Sequence, residues 1–381
     1  MQQSFRVVHL ISSGGFYGAE RVVLDLCLAG IGENVRPLVA CFNDLRKPHI
    51  ELYEAARNAG IAAHLIECKS QIDFLAFQQI KKVLERERAD ILHCHGFKAD
   101  FYGFFCKMLL KTTIVATSHL WTASRPLFRF YERVDALCLR FFDHIAAVSV
   151  PIHKDLVRSG IDPASITIVP NGIHFRSQKD EGAGGTQRSK LGLKPGEIAI
   201  GCIARLSPEK GHRHLLHAAK SVLEAMPHAR FVLFGDGPMR GKLEEEAATL
   251  SLREAVLFAG FRDDMDTIYP LLDLVVSSSY REGLPMSLLE AASYGIPIIA
   301  TPVGDVAELI EDGVSGILVK PGDEAGLAGT IVSLLKAPDR MREMGRRGKE
   351  RVEARFSARR MVRDYAAIYR KVTEGARATS M

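Results

Sequence analysis

The sequence predicts an α/β protein built from two doubly wound parallel-sheet domains that face a cleft. Three observations predict it. The chain has 381 residues, too many for one typical domain, and two is the natural expectation. Short β-branched runs alternate with longer helical patterns, the grammar of a doubly wound sheet. The alternation pauses once, near 166–172, and a polar, Gly-rich stretch at 177–186 follows before a second series begins.

The first series places strands at 6–11, 35–42, 61–66, 90–95, 113–117 and 144–149, with helices opening near Gly18, His49, Phe74, Lys98 and Leu127. The second places strands at 198–204, 230–234, 256–259, 274–277 and 298–301, again with helices between. Domains of 1–172 and 173–356 follow. The last segment, 357–372, reads as a helix with Met361, Tyr365 and Ile368 on one face. Ligands of such sheets bind at the carboxyl ends of the strands, so the loops after each strand hold the candidate site residues.

Composition excludes several classes. Apolar content of 47% and charged content of 25% describe an ordinary globular protein. No apolar run reaches the length of a membrane span. The N-terminus lacks a signal peptide's apolar core, so the chain is expected in the cytoplasm. The net charge of +5 comes with no nucleic-acid motif. The seven cysteines are scattered, and Cys27, Cys94 and Cys202 read as small buried hydrophobes. His93-Cys94-His95 has metal-ligand residue types. It lies on a strand, where adjacent side chains face opposite ways, so no metal site is assigned.

The densest site signal is Glu282-Gly-Leu-Pro-Met-Ser-Leu-Leu-Glu290. The first Glu falls on a loop after a strand and the second inside the helix that the loop opens. The amides of Gly283, Leu284, Met286 and Ser287 then lie at a helix N-terminus, where an anion is favoured. Amides for phosphate and carboxylates for hydroxyls suit a phosphorylated sugar. Arg205 and Lys210 stand just past the first strand of the second domain; Arg forks onto phosphate oxygens and Lys supplies a point charge. Ser12-Ser-Gly-Gly-Phe-Tyr-Gly-Ala-Glu, with Gly15 and Gly18, follows the first strand and allows close approach of a phosphate, or makes only a tight turn. Gly235-Asp-Gly-Pro and Gly260-Phe-Arg262-Asp-Asp end the next strands. Asp264-Met-Asp266 is read as a helix cap rather than a metal-binding pair. His119 follows strand five and either contacts substrate or bonds structurally. Trp121, the only tryptophan, offers a ring for a sugar or for the core.

Gly18-Ala-Glu-Arg, Pro170-Asn-Gly-Ile, Ala204-Arg-Leu-Ser-Pro-Glu-Lys-Gly, Gly235-Asp-Gly-Pro and Glu282-Gly-Leu-Pro-Met-Ser-Leu-Leu-Glu-Ala occur in that order. Together they resemble the retaining, nucleotide-sugar-dependent glycosyltransferases of GT-B fold, group 1, family 4, along essentially the whole chain. The resemblance implies two Rossmann-like domains, an acceptor-binding N-terminal one and a donor-binding C-terminal one. It also implies a final helix, about 357–381, that crosses back to the N-terminal domain. It assigns Arg205 and Lys210 to the donor diphosphate, Glu290 to the ribose hydroxyls, Glu282 to the transferred sugar and His119 to the sugar and acceptor. Gly15 or Gly18 would approach the phosphate. Gly235, Arg262, Gly283, Leu284, Pro285, Met286 and Ser287 complete the donor contacts. The Gly-Gly-Phe-Tyr-Gly loop is longer than the family's common form, and His174 stands where Asp is usual, so no role is given to that position.

Glycosyl transfer builds positive charge at the anomeric carbon and negative charge on the leaving diphosphate. Arg205 and Lys210 would stabilise the latter, so neither metal nor other cofactor is expected. The expected partners are a nucleotide-sugar donor and a lipid-linked or saccharide acceptor in surface polysaccharide or glycolipid assembly, with no nucleic acid. The segment 97–142 interleaves Phe101, Tyr102, Phe104, Phe105, Leu127, Phe128 and Phe130 with Lys98, Lys107, Lys111, Arg129, Arg133 and Arg140. Such helices rest on an anionic membrane surface or bury one face in the core; the first reading makes the protein peripheral on the inner face of the cell membrane. A nucleotide-sugar epimerase and a non-catalytic sugar-nucleotide-binding protein stay open as alternatives. The sugar, base, acceptor, linkage and oligomeric state are not legible in the residues.

Overall fold

The computed structural model describes residues 4–13, 15–16, 18–70, 72–119, 126–175, 188–189 and 191–379, without the side chains of 126–130 and 376–379. Trp121, Arg125 and the Gly-rich stretch 177–186 lie outside the described residues, as do the side chains of Leu127, Phe128, Arg129 and Phe130. The chain divides into two compact units, 1–174 with 356–381, and 175–355.

The first unit holds a seven-stranded parallel sheet: β1 (Phe5–Ser12), β2 (Val35–Asp44), β3 (Ala62–Cys68), β4 (Ile91–His95), β5 (Ile114–Ser118), β6 (His144–Ala147) and β7 (Ile166–Ile168). Their order is β3-β2-β1-β4-β5-β6-β7. The second unit holds a six-stranded parallel sheet: β8 (Ile198–Ile203), β9 (Ala229–Phe234), β10 (Val256–Gly260), β11 (Leu274–Ser277), β12 (Ile298–Ala300) and β13 (Ile317–Leu318), in the order β10-β9-β8-β11-β12-β13. In each sheet the winding reverses beside the first strand, between β1 and β4 and between β8 and β11. That reversal opens a crevice outside the strands' carboxyl ends.

β7 and β13 are additions to the strands read from sequence. β7 is three residues long with two exposed, and β13 has two residues, both half-buried. Neither is long enough to show an alternation, and the sheet rather than local pattern makes them strands.

Strand alternation splits the core of the first unit. Leu10, Phe42, Leu92, Cys94 and Ile145 pack under the helices Phe74–Glu87 and Phe97–Leu110. Ile11, Val39 and Cys41 meet Val23 and Cys27 of the helix Gly18–Gly30 on the other face. One cluster, including Cys202, Leu216, Phe231, Leu274 and Ile331, packs one face of the second sheet, and Val232, Val275, Leu288, Leu289 and Ile298 are buried outside it. Each fully buried Leu, Ile or Phe contributes about 1.5–3 kcal/mol over an exposed one. All seven cysteines are free and buried. Local signals set several helix starts: Asp73 accepts from the Leu75 amide (2.9 Å) and Ser149 from that of Ile152 (3.3 Å).

The last helix, Ala358–Thr379, belongs to the first unit and buries Met361, Tyr365, Ile368 and Tyr369 there. Its entry explains the Pro170-Asn-Gly-Ile segment. The Ile173 amide donates to the Phe356 carbonyl (2.9 Å) and the Ala358 amide to the Ile173 carbonyl (2.8 Å). A Cβ on Gly172 would lie 2.6 Å from the Ser357 carbonyl oxygen, so only glycine admits the returning chain. Among the described residues, no helix is long and apolar enough to cross a membrane.

Candidate functional site

In the second unit the site residues gather where β8 and β11 run side by side. The loop 204–211 after β8 and the loop 278–285 after β11 are tied directly. The Tyr280 amide donates to the Glu209 carbonyl (2.8 Å), and Ser278 Oγ donates to the Gly211 carbonyl (3.0 Å). This brings Lys210 Nζ to 2.6 Å from Glu282 Oε2, while Ser279 Oγ donates to Glu282 Oε1 (2.7 Å). Glu282 is only 9% exposed, and both its oxygens are satisfied, as a buried carboxylate requires. Arg205 is exposed, and among the described residues no ion pair holds its guanidinium. The loop therefore presents one cation locked onto a carboxylate and one turned to solvent.

The helix Met286–Ser293 opens directly behind Gly283, Leu284 and Pro285, and Pro285 occupies its N-cap position. Ser287 and Glu290 are half-buried. The buried Tyr269 hydroxyl donates to Glu290 Oε2 (2.8 Å), and the Tyr269 ring stacks on Tyr294 with centroids 5.3 Å apart. The loop after β12 closes on the same segment. Gly304 sits at φ +61°, and a Cβ there would lie 2.3 Å from the Glu282 carbonyl oxygen; the Asp305 amide donates to the Gly283 carbonyl (2.9 Å). Sequence reasoning passed over Tyr269, Ser279 and Gly304. Their signal is positional, since each follows or flanks a strand beside the switch point.

Two donor-side residues have internal uses. The Gly235 amide donates to the Gly260 carbonyl (2.8 Å), and a Cβ on Gly235 would lie 2.1 Å from the Ala204 carbonyl oxygen. The packing of β9 against β8 thus already demands a glycine. Arg262 forks onto Asp264, Nε to Oδ1 at 2.7 Å and Nη2 to Oδ2 at 2.5 Å. Asp264 does cap a helix by position, as read from the sequence, but its side chain is spent on this pairing. The helix is the short Met265–Ile268, and the carboxylate accepts from the guanidinium and from no helix amide. A charge-assisted bidentate pair outcompetes a single amide.

In the first unit the corresponding edge is lined by histidines. Gly15 (φ 140°) donates its amide to Ser13 Oγ (3.2 Å), and Gly18 is exposed at the start of the helix Gly18–Gly30. Behind this loop, His9 on β1 pairs in register with His93 on β4. Two positions on, His95 ends β4 on the same face. His9 Nδ1 lies 3.1 Å from His95 Nε2, and His95 Nδ1 lies 3.4 Å from His119 Nε2. His93 bonds differently: Nδ1 to the Tyr369 hydroxyl and Nε2 to Thr117 Oγ1, both at 2.7 Å, with Thr117 Oγ1 2.7 Å from the Tyr365 hydroxyl. This network ties the final helix to the sheet. Burial disfavours the imidazolium throughout. It holds His9 at about 3 and His119 at about 4, and His93 and His95 well below the ordinary histidine range.

The reading of His93-Cys94-His95 needs correction in one respect. Alternation does send Cys94 to the opposite core, but residues two apart share a face. The relevant pattern is His93 and His95 together with His9 on the neighbouring strand. His9, His93 and His95 form the one group, among the described residues, whose possible ligand atoms lie within 4.8 Å of one another. Both nitrogens of His93 are already engaged by hydroxyls.

The helices of 97–142 divide between core and surface. Tyr102 is buried, and Phe101 and Phe104 pack on the core. Lys98 turns inward, 4.7 Å from the Phe42 ring centroid, and Lys107 pairs with Asp143 (2.6 Å). Phe105, Met108, Leu109, Leu137 and Phe141 are exposed, as are Lys111, Arg133 and Arg140, with Arg140 donating to the Ser159 carbonyl (2.8 Å). The membrane-facing set read from sequence therefore loses Tyr102, Lys98 and Lys107, whose polar atoms find partners inside the unit.

Comparison with known proteins matches both units. The family model described as glycosyltransferase family 4 covers residues 16–176, and that described as glycosyl transferases group 1 covers residues 185–351. The chain is similar to the alpha-D-kanosaminyltransferase of Streptomyces kanamyceticus, 30% identical over 313 residues, covering 77% of this chain and 80% of that one. It is also similar to the UDP-Gal:alpha-D-GlcNAc-diphosphoundecaprenol alpha-1,3-galactosyltransferase of Escherichia coli, 26% identical over 261 residues, 66% of this chain and 67% of that one. The crystal structure of Anabaena HepE in complex with UDP-glucose superposes with a TM-score of 0.84 at 21% identity, over 96% of this chain and 99% of that one. Its fold is thus that of the two-domain GT-B enzymes. The chain belongs to the group 1, family 4 glycosyltransferases.

Proposed function

We propose that the protein transfers a sugar from a nucleoside-diphosphate sugar to a hydroxyl acceptor with retained anomeric configuration and without a metal ion. The carrying observation is the pair of loops that sets Arg205, Lys210, Glu282 and Glu290 around one switch point of the second sheet. In this reading the second unit binds the donor. Glu290, steadied by Tyr269, accepts from the ribose hydroxyls. Arg205 and Lys210 neutralise the diphosphate as the anomeric C–O bond breaks, which is where charge develops. Lys210 then exchanges part of its pairing with Glu282 for the leaving phosphate, and Glu282 turns an oxygen to the sugar's hydroxyls. The acceptor oxygen attacks from the face the diphosphate leaves, and a leaving-phosphate oxygen takes its proton. The first unit would bind the acceptor, with His119 as a neutral hydrogen-bonding group. The amides of the segment 283–287 would supply close backbone approach to the donor phosphate.

UDP in the name of the similar galactosyltransferase and in the HepE complex supports a uridine nucleotide. The diphosphoundecaprenol in the former supports a lipid-linked acceptor and a role in surface polysaccharide or glycolipid assembly. The exposed patch on the first unit favours that class. Phe104, in the helix Phe97–Leu110, and Phe141, just past the helix Pro126–Leu139, have ring centroids 5.2 Å apart, and Lys111 and Arg133 on the same segments are exposed. Apolar side chains with flanking cations suit an anionic bilayer surface.

A thermal-shift screen of the full chain against UDP-, GDP- and ADP-sugars tests the donor, since a bound donor raises apparent stability. Transfer that persists in EDTA, with an α-linked product from an α-linked donor, supports the mechanism; loss of turnover on chelation, restored by a divalent ion, sinks the metal-free part. Indifference to anionic vesicles at low salt would remove the membrane surface.

A further inference from the structure

The histidines of the first unit form an ordered file. His119 ends it at the surface, partly exposed; His95 stands behind it and His9 behind that, both buried. The contacts run His9 Nδ1 to His95 Nε2 (3.1 Å) and His95 Nδ1 to His119 Nε2 (3.4 Å). A neutral imidazole carries one N–H and one lone pair. Each contact in such a file needs a proton on one side and a lone pair on the other. Two arrangements satisfy both contacts. In one, all three rings carry the proton on Nε2: His119 donates to His95 and His95 to His9. In the other, all three carry it on Nδ1 and the bonds run outward. A mixed file faces two lone pairs or two protons, at a cost that burial raises.

The Nε2 of His119 is committed to this file, so Nδ1 is the nitrogen left for a ligand. In the first arrangement Nδ1 accepts; in the second it donates. We propose that His95 is a positioning residue that fixes the tautomer of His119 through this file, so that the donor or acceptor character His119 shows to substrate is coupled to the tautomers of His95 and His9. The proposal rests on the reading of His119 as a substrate-contacting group. Burial keeps the file neutral, since it pushes each of these histidines far below its ordinary range. The neighbouring His93 does not join it, because the hydroxyls of Tyr369 and Thr117 hold both its nitrogens. Those hydroxyls and that of Tyr365 are the other polar groups bonded into this layer.

The test is nitrogen NMR of the full chain labelled at histidine, with His95 and His119 assigned by single substitution. Near neutral pH both rings should be neutral and share one tautomer, both Nδ1–H or both Nε2–H. Opposite tautomers, or an imidazolium at either position, overturn the coupling, as does stoichiometric metal held by His9 and His95 in the purified protein. The kinetic arm compares His95→Leu with His95→Asn, whose amide keeps a hydrogen-bonding atom near the position of Nδ1. His95→Leu should lower kcat about tenfold or more, part of the roughly 10²–10³ that one placed hydrogen-bonding group supplies in a transition state. Donor KM should hold, and His95→Asn should recover much of the loss. Equal losses in both variants overturn the positioning role. If His95→Leu does not fold, the tautomer match in the unaltered protein decides. Full turnover in His119→Ala defeats the underlying reading of His119 even where the tautomers match, so the two failures are distinguishable.

Discussion

The carboxyl edges of the two sheets occupy the same place in the same topology, yet their chemistry is opposite. Beside β8 and β11 the polar groups are charged: Arg205 faces water, and Lys210 and Glu282 pair at 2.6 Å. Beside β1 and β4 they are neutral: three buried histidines bonded to one another and to hydroxyls. A switch point supplies a crevice and nothing more; the side chains decide what it can hold. A diphosphate carries permanent charge and needs cations that remain charged, hence near water or paired. A hydroxyl needs donors and acceptors without net charge, and a desolvated imidazole provides both.

The largest test of this contrast removes charge from the second unit. Arg205→Ala should lower transfer about 10²–10³-fold, the usual cost of one group that stabilises developing charge. Its melting temperature should barely move, because the guanidinium is exposed. Lys210→Ala should lose as much activity and also about 1–3 kcal/mol of stability, since Glu282 would be left buried without its cation. Steady-state kinetics and thermal melts check both. Near-normal turnover in the pair would end the assignment of this edge to the donor.

Acid should separate the two units. In the unfolded chain a histidine takes up its proton below about pH 6.5. In the fold His9 resists until about 3, and His119 and His144 until about 4. The unfolded state therefore binds more protons, and stability falls as pH falls. The contribution is whole above about 6.5 and erodes toward 4, at roughly 1.4 kcal/mol per pH unit for each fully buried ring. His93 and His95 add to this, whereas in the second unit His212 is the one described histidine so depressed, to about 4. Hydrogen exchange at about pH 5 should show the first unit opening before the second. Equal loss of protection in both would contradict the neutral histidine layer.

Smaller effects sharpen the donor side. Gly304→Ala forces a side chain into a left-handed backbone and against the Glu282 carbonyl, and should cost about 1–3 kcal/mol with loss of transfer, measured by urea unfolding and kinetics. Tyr269→Phe removes the hydroxyl from Glu290. A hydrogen bond of about 0.5–1.5 kcal/mol predicts a two- to tenfold rise in donor KM with kcat little changed. An unchanged KM would show that Glu290 does not depend on Tyr269 for its placement.

Much of the molecule was legible before any coordinates. Short β-branched apolar runs located eleven strands, because burial on both faces of a parallel sheet demands such runs. The Glu282–Glu290 spacing put one carboxylate on a loop and one on a helix. What stayed hidden was pairing across distance. Lys210 and Glu282 are 72 residues apart and meet because β8 and β11 are neighbours. His93-Cys94-His95 looked discordant as a consecutive run and became coherent when β1 set His9 beside alternate members of it. The basic and aromatic residues of 97–142 looked like one surface until Lys98 and Lys107 found partners inside.

The sequence by itself determined the fold class, the pause between the two series of strands and the residue types at each carboxyl edge, since periodicity and turn chemistry are local. Only the tertiary structure decided which charges are paired, which amides are spent on packing, and which nitrogen of His119 meets His95. Those depend on strand order and side-chain contact over long separations, which no local pattern encodes.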